Sequence, residues 1–207
     1  MSETFEISLD DLINNIKNDK EKNFNDIVDL DADLHRNICI GEIYDGLGIE
    51  IDSKIRFWNR QDDKAGIEVG DREPIKIFID SLGGSLTDAF TIINSIQLSR
   101  TPVITIALGC VYSGGFFIFI TGDKRYAYPN ASFLYHEGSA GTQGTANQFS
   151  NFAEFYKVQL KQIEDLVLNY TEIDKELYNE KKRDDWWMDV NEALKYKVCD
   201  EILTELI

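Results

Sequence analysis

Apolar runs and amphipathic segments alternate through the middle of this chain. Residues 75–80 and 103–108 are short, mostly apolar runs, and residues 37–43 alternate apolar positions, which predicts three strands. Residues 46–60 and the segment after Ser85 carry apolar side chains at helical spacing. The order of strands and helices predicts an α/β fold whose crossover connections are right-handed.

Two glycine-rich turns follow the second and third predicted strands. One contains Gly83 and Gly84, and the other, bounded by Gly109 and Gly115, contains Ser113. Glycines in such turns leave backbone N–H groups open to a ligand, and ligands of α/β sheets bind at the carboxyl ends of strands. A serine placed between a strand and a helix can be an exposed nucleophile. The alternative is a serine that only caps a buried helix.

Further strands are predicted at residues 125–128 and 132–136, and the second of them ends at His136. The chain contains two histidines, and a general base beside a serine is the minimal device for nucleophilic catalysis. Ser113 and His136 are therefore a candidate pair. The alternative is a histidine that only packs and forms hydrogen bonds, and this reasoning does not identify an acid.

The last long segments predict how the chain is organised. Residues 138–148 lack an apolar anchor, which predicts an extended or flexible segment, and residues 149–170 keep a helical apolar spacing. That helix would be about 33 Å long, enough to project from a domain and contact a partner. Residues 1–34 are predicted to be a partly ordered extension for docking or gating, followed by one domain at 35–207.

Charge and composition narrow the function classes. The formal net charge of −16 argues against nucleic acid or an anionic membrane as a partner. The apolar runs are too short to span a bilayer, and the first residues lack the apolar core of a signal peptide. We therefore expect a cytoplasmic protein. Its three distant cysteines predict buried free thiols and no metal site.

Four motifs give the chain a family resemblance over residues 36–203. They are Ile79-Asp80-Ser81-Leu82-Gly83-Gly84-Ser85, Gly109-Cys110-Val111-Tyr112-Ser113-Gly114-Gly115, Tyr128-Pro129-Asn130-Ala131-Ser132-Phe133-Leu134-Tyr135-His136 and Arg183-Asp184-Asp185-Trp186-Trp187-Met188, the last with Glu192-Ala193 behind it. With these motifs in this order, the chain resembles the proteolytic subunit of the Clp protease, the ClpP family of serine peptidases. The resemblance implies a ClpP/crotonase-like α/β fold of repeated β-β-α units, with residues 149–170 as a projecting "handle" helix.

The same resemblance implies an active site. Ser113 would be the nucleophile, His136 the general base and Asp185 the orienting acid, and the N–H groups of Gly84 and Gly114 would form the oxyanion hole. Substrate-binding residues would be Gly83, Ser85, Gly138, Ser139, Ala140 and Gly141. No metal and no cofactor is implied. The implied partners are a peptide or unfolded protein substrate, identical subunits in a heptameric ring or stacked tetradecamer, and an AAA+ unfoldase.

Some residues depart from the family pattern. Tyr112 replaces a small residue, Gly114 a methionine and Leu82 a proline, while Lys76 and Asp184 stand where an aromatic and a basic residue are usual. Three hypotheses remain at this point. The first is a ClpP-like serine endopeptidase, fed by an unfoldase or acting as a processing protease. The others are a catalytically silent ring component or binding module, and a crotonase-type acyl-CoA enzyme.

Overall fold

A computed structural model describes Asp29 and residues 32–207, so the predictions for the rest of residues 1–34 lie outside the described residues. In the described part, seven strands form one sheet. They are β1 (Asn37–Ile40), β2 (Ile75–Ser81), β3 (Val103–Tyr112), β4 (Lys124–Ala127), β5 (Ser132–Tyr135), β6 (Trp186–Asp189) and β7 (Glu201–Ile202). Strands β1, β2, β3, β4 and β7 are parallel neighbours in that order.

The long strand β3 divides its pairing between two neighbours. Residues 104–107 pair with β4, and residues 110–112 pair with residues 132–134 of β5. Both pairings are parallel, and β6 then pairs with β5 in the antiparallel sense. The carboxyl ends of β3 and β5 therefore meet the amino end of β6 at one edge of the sheet.

After a short helical stretch at residues 32–34, the helices are α1 (Leu47–Ala65), α2 (Leu86–Leu98), α3 (Gly114–Ile120), α4 (Ala146–Tyr170), α5 (Lys175–Lys181) and α6 (Val190–Lys195), with a 3₁₀ turn at Val69–Asp71. Side chains cap the first turns of α2 and α6, since Ser85 and Asp189 each accept the N–H three residues later. Helix α3 is buried along its whole length and contacts β3, α2 and α4. Its complete burial explains why its sequence is apolar on every side.

Several local predictions are wrong. The helix predicted at residues 46–60 was given too early an end, because α1 continues to Ala65 and buries Asp62 against Arg36. Gly109 does not bound a turn but continues β3. An added Cβ there would lie 2.7 Å from Oδ1 of Asp80, which accepts the neighbouring N–H of Cys110. The sequence pattern also missed α5 and β6.

The three cysteines are free, as predicted, but only Cys199 is buried. Burial raises the pKa of its thiol to about 11. Cys39 is exposed because it alternates with Ile38 and Ile40, which face the core from the edge strand β1. Among the described residues, no helix has the length and apolarity that crossing a membrane requires.

Candidate active site

Ser113 lies between the end of β3 and the start of α3 in strained backbone. Its φ of 55° and ψ of −121° are unusual for a residue with a side chain. Its N–H donates to the carbonyl of Leu134 in β5 at 3.0 Å, and its carbonyl accepts the N–H of Phe116 at 3.0 Å. Ser113 occupies the N-cap position of α3, yet within the described residues its side chain makes no capping hydrogen bond. The Ser113 hydroxyl therefore does not cap α3, and the alternative of a serine that only caps the helix is wrong.

The strand register brings His136 and Asp185 together. Strands β5 and β6 pair Tyr135 with Trp186. In an antiparallel ladder the next residue of one strand faces the preceding residue of the other, so His136 is opposite Asp185. The distance from Nδ1 of His136 to Oδ1 of Asp185 is 3.7 Å, and the Asp185 side chain is 60% exposed. The pair is close but longer than a hydrogen bond.

Gly83 and Gly84 follow β2 with φ of 103° and 142°, which glycine adopts without strain. An added Cβ on Gly83 would lie 2.7 Å from the Cβ of Ser113, so this turn lies directly against the serine. Gly84 forms an isolated parallel bridge with Ile43. In that bridge, the carbonyl of Gly83 and the N–H of Ser85 bond to Ile43. Successive backbone groups of an extended chain point to opposite sides, so the N–H of Gly84 points away from Ile43.

Gly114 is the first residue of α3, and the first N–H groups of a helix have no acceptor within that helix. An added Cβ on Gly114 would lie 3.9 Å from the nitrogen of Gly84, so the two backbones are close neighbours. Gly84 and Gly114 also line the same cleft as Ser113 and His136. The arrangement places two backbone N–H groups close to a serine, and backbone donors in such a position can stabilise an oxyanion.

The cleft has a volume of about 250 Å³. Of the predicted substrate-binding residues, Gly138, Ser139 and Ala140 line it, whereas Gly83, Ser85 and Gly141 do not. Ser85 instead serves α2, because its Oγ accepts the N–H of Asp88 and donates to Oδ2 of Asp88 at 2.7 Å. The lining is completed mainly by side chains of α2, α3 and α4: Leu86, Thr87, Phe117, Glu137, Phe152, Tyr156, Gln159 and Ile163.

Tyr156 is a cleft residue that the sequence pattern assigned only to a helix face. Its hydroxyl donates to the carbonyl of Glu137 at 2.9 Å and so ties the segment after His136 to α4. Burial, with a smaller contribution from Glu137, raises the pKa of Tyr156, which keeps the hydroxyl protonated as a donor. Its ring stacks on Phe152. Nothing in the helical spacing separates this tyrosine from its apolar neighbours, so the sequence could not have marked it.

Tyr112 precedes the serine but does not line the cleft. Its ring packs edge-on against Trp187 of β6, with centroids 5.1 Å apart, and its hydroxyl lies 2.8 Å from Oγ of Ser132. The large side chain thus links β3, β5 and β6 next to the site. In the described part of the chain, no cluster of three or more histidine, cysteine or carboxylate side chains could hold a metal ion.

Comparison with known proteins decides the family. A family model described as Clp protease matches residues 66–206. The chain belongs to the Clp protease family. A similar protein is the ATP-dependent Clp protease proteolytic subunit 2 of Tropheryma whipplei (strain Twist), which is 32% identical over 173 residues, or 82% of this chain and 92% of that protein.

Two further Clp protease relatives show the same level of similarity. The ATP-dependent Clp protease proteolytic subunit of Streptococcus mutans serotype c is 30% identical over 169 residues, which cover 79% of this chain and 81% of that protein. Subunit 3 of Streptomyces avermitilis is 34% identical over 131 residues, which cover 62% of this chain and 60% of that protein. Membership confirms the predicted family, the α/β fold class and the enzyme class, a ClpP-like serine protease. It does not support the crotonase-type hypothesis.

Proposed function

We propose that this Clp protease family member hydrolyses peptide bonds with Ser113 as nucleophile, His136 as general base and Asp185 as orienting acid. One observation carries the proposal. Ser113, His136, Gly84 and Gly114 line a single cleft, and Oδ1 of Asp185 lies 3.7 Å from Nδ1 of His136. The three residues directly follow β3, directly follow β5 and directly precede β6, so segments far apart in the sequence meet at this site.

The proposed reaction follows serine peptidase chemistry. His136 accepts the hydroxyl proton as Oγ of Ser113 attacks the carbonyl carbon of the scissile bond. The N–H groups of Gly84 and Gly114 stabilise the negative charge that develops on the carbonyl oxygen. His136 then donates its proton to the leaving amine, an acyl-enzyme forms on Ser113, and water hydrolyses it by the same steps. Asp185 stabilises the imidazolium and selects the tautomer with the proton on Nδ1.

The cleft indicates how substrate would bind. Gly138, Ser139 and Ala140 lie along it in a segment that is neither helix nor strand, and the backbone of such a segment can pair with an extended peptide. Phe117 and Ile163, which are almost fully buried, add small apolar surfaces to the same cleft. We therefore propose that an apolar side chain next to the scissile bond enters between α3 and α4.

The assembly is also a proposal. The relatives' names describe proteolytic subunits of ATP-dependent proteases. We extend this to residues 35–207 as the peptidase domain, with residues 1–34 as an extension, in a cytoplasmic heptameric ring or stacked tetradecamer fed by an AAA+ unfoldase. Phe149, Phe155 and Val158 on the first half of α4 are 58%, 59% and 53% exposed, which supports this handle helix as a contact surface between rings.

The direct test is intact-mass analysis after treatment with a fluorophosphonate serine probe. The native protein and Ser113→Ala are compared, and native mass spectrometry reports the assembly state of each sample. We expect one adduct on the native protein and none on Ser113→Ala. A well-formed ring without an adduct would instead support the catalytically silent ring component, for which the 3.7 Å separation of His136 and Asp185 is the favouring observation.

A further inference from the structure

Ile43 contacts both of the turns that carry the proposed oxyanion donors. It lies between β1 and α1, outside the four motifs, and is 1% exposed. Its backbone holds the first turn: its N–H donates to the carbonyl of Gly83 at 3.0 Å, and its carbonyl accepts the N–H of Ser85 at 2.7 Å. An added Cβ on Gly84 would lie 2.2 Å from the Ile43 carbonyl oxygen, so only glycine permits this approach.

The side chain of Ile43 reaches the second turn. Its Cδ1 lies 3.1 Å from the position that a Cβ on Gly114 would occupy. That position is in turn 3.9 Å from the nitrogen of Gly84. Ile43 therefore forms backbone hydrogen bonds with the turn that contains Gly84. Its terminal methyl group, Cδ1, packs next to Gly114.

A buried carboxylate fixes the segment that carries Ile43. Oδ1 of Asp88 accepts the N–H groups of Gly46 at 3.0 Å and Gly48 at 2.9 Å, while its Oδ2 accepts the Ser85 hydroxyl at 2.7 Å. The Ser85 hydroxyl and these backbone donors lower the pKa of Asp88, so it stays ionised as an acceptor. Ser85 is thus connected to the Ile43 segment directly, through its N–H to the Ile43 carbonyl, and indirectly, through its hydroxyl to Asp88. These two connections restrict the movement of the segment.

We infer that Ile43 is a positioning residue that sets the separation of the Gly84 and Gly114 N–H groups in the oxyanion hole. The inference rests on the proposed function. Oxyanion donors act only when they lie at hydrogen-bond distance from the developing charge, and loss of one donor costs about 10²- to 10³-fold in kcat. A shift of a few tenths of an ångström should cost less, roughly tenfold. Substrate binding in the cleft should change little, because Ile43 does not line it.

The test is a double-mutant cycle. Ile43→Val removes Cδ1 and leaves the backbone bonds intact, and Gly114→Ala adds the Cβ that would meet this methyl group. The readouts are the rate of fluorophosphonate labelling, measured by intact mass, and kcat and KM on a short fluorogenic peptide with an apolar residue before the cleaved bond. Ile40→Val is the matched control, because Ile40 is a buried isoleucine of β1 that does not line the cleft.

We expect Ile43→Val to lower the labelling rate and kcat about fivefold to tenfold with KM within twofold. Ile40→Val should lower the thermal midpoint similarly and leave kcat unchanged. Gly114→Ala should lose more activity than Ile43→Val, and the double variant should recover at least threefold over Gly114→Ala.

Two outcomes would overturn the inference. The first is a double variant whose fold-loss of activity equals the product of the two single fold-losses, because the effects of substitutions at independent sites multiply. The second, which decides the matter even if Gly114→Ala does not fold, is an unchanged kcat in Ile43→Val. Labelling of the unsubstituted protein reports separately on the proposed function. If that labelling fails, the triad proposal is wrong, whereas labelling without coupling removes only the role of Ile43.

Discussion

Replacement of Gly83 by alanine tests whether close packing of the first turn positions the nucleophile. The added Cβ would lie 2.7 Å from the Cβ of Ser113 and 3.1 Å from its Oγ, whereas ordinary contacts begin at 3.4 Å. The two carbons must therefore separate by about 0.7 Å. Since misplacement of a catalytic group by about 1 Å costs roughly 10²-fold, we expect Gly83→Ala to slow labelling of Ser113 by about 30- to 100-fold.

The chain offers a control glycine with nearly the same φ. Gly46 has φ of 104° against 103° for Gly83, and an added Cβ there meets nothing within 4 Å. Both alanine variants should lose about 1–2 kcal/mol of folding free energy from the positive φ. Only Gly83→Ala should lose reactivity, because only its Cβ displaces the serine.

The assay is the second-order rate of fluorophosphonate labelling, with urea unfolding to measure the stability of each variant. A folded Gly83→Ala that labels within threefold of the native rate would refute the argument from close packing. An equal loss of labelling in Gly46→Ala would also refute the argument. The cause would then be the positive φ alone and not contact between the added Cβ and Ser113.

Three further predictions follow from the same geometry. Asp185→Asn should lower kcat/KM by about 10- to 100-fold. This is less than the loss of about 10⁴-fold that follows when a buried triad acid is replaced, because Asp185 is 60% exposed and 3.7 Å from His136. A loss of about 10⁴-fold would contradict this geometry. Tyr178→Phe should lower the free energy of unfolding, measured with urea, by about 1–3 kcal/mol. The substitution leaves the buried Tyr135 hydroxyl, which donates to Tyr178 at 2.8 Å, without its acceptor. The variant with phenylalanine at both positions should recover part of that loss, and no recovery would contradict a hydrogen bond between the two tyrosines. Arg36 lowers the pKa of Asp62, so the stability from this pair is present above about pH 4 and is lost as pH falls through the lowered pKa. Asp62→Asn should flatten that acid loss, and an unchanged pH profile would exclude the pair as its source.

Much of the site could be predicted because its signals are local. Gly83 and Ser113 each stand between an apolar strand and a helix, and a glycine at position 83 indicates the positive φ that its turn needs. The capping side chains Ser85 and Asp189 are local in the same sense. A resemblance over four ordered motifs then connected these turns to His136 and Asp185.

Other features depend on partners far away in the chain. Strand β6 was missed because Trp186 and its neighbours follow a charge run, and the strand exists only where β5 supplies hydrogen bonds. Gly109 was placed in a turn because its fit against Asp80 cannot be read from neighbouring residues. The role of Tyr156 likewise depends on a carbonyl 19 residues away.

By itself, the sequence predicted most of the strands and helices, the two glycine turns, and Ser113 and His136 as the candidate nucleophile and base. Only the tertiary structure decided which atoms meet. The antiparallel register of β5 and β6 places Asp185 opposite His136, and the bridge from Ile43 orients the donor of Gly84. The physical reason is that composition and periodicity report what a segment buries, whereas hydrogen-bond register and close contact are properties of two segments together.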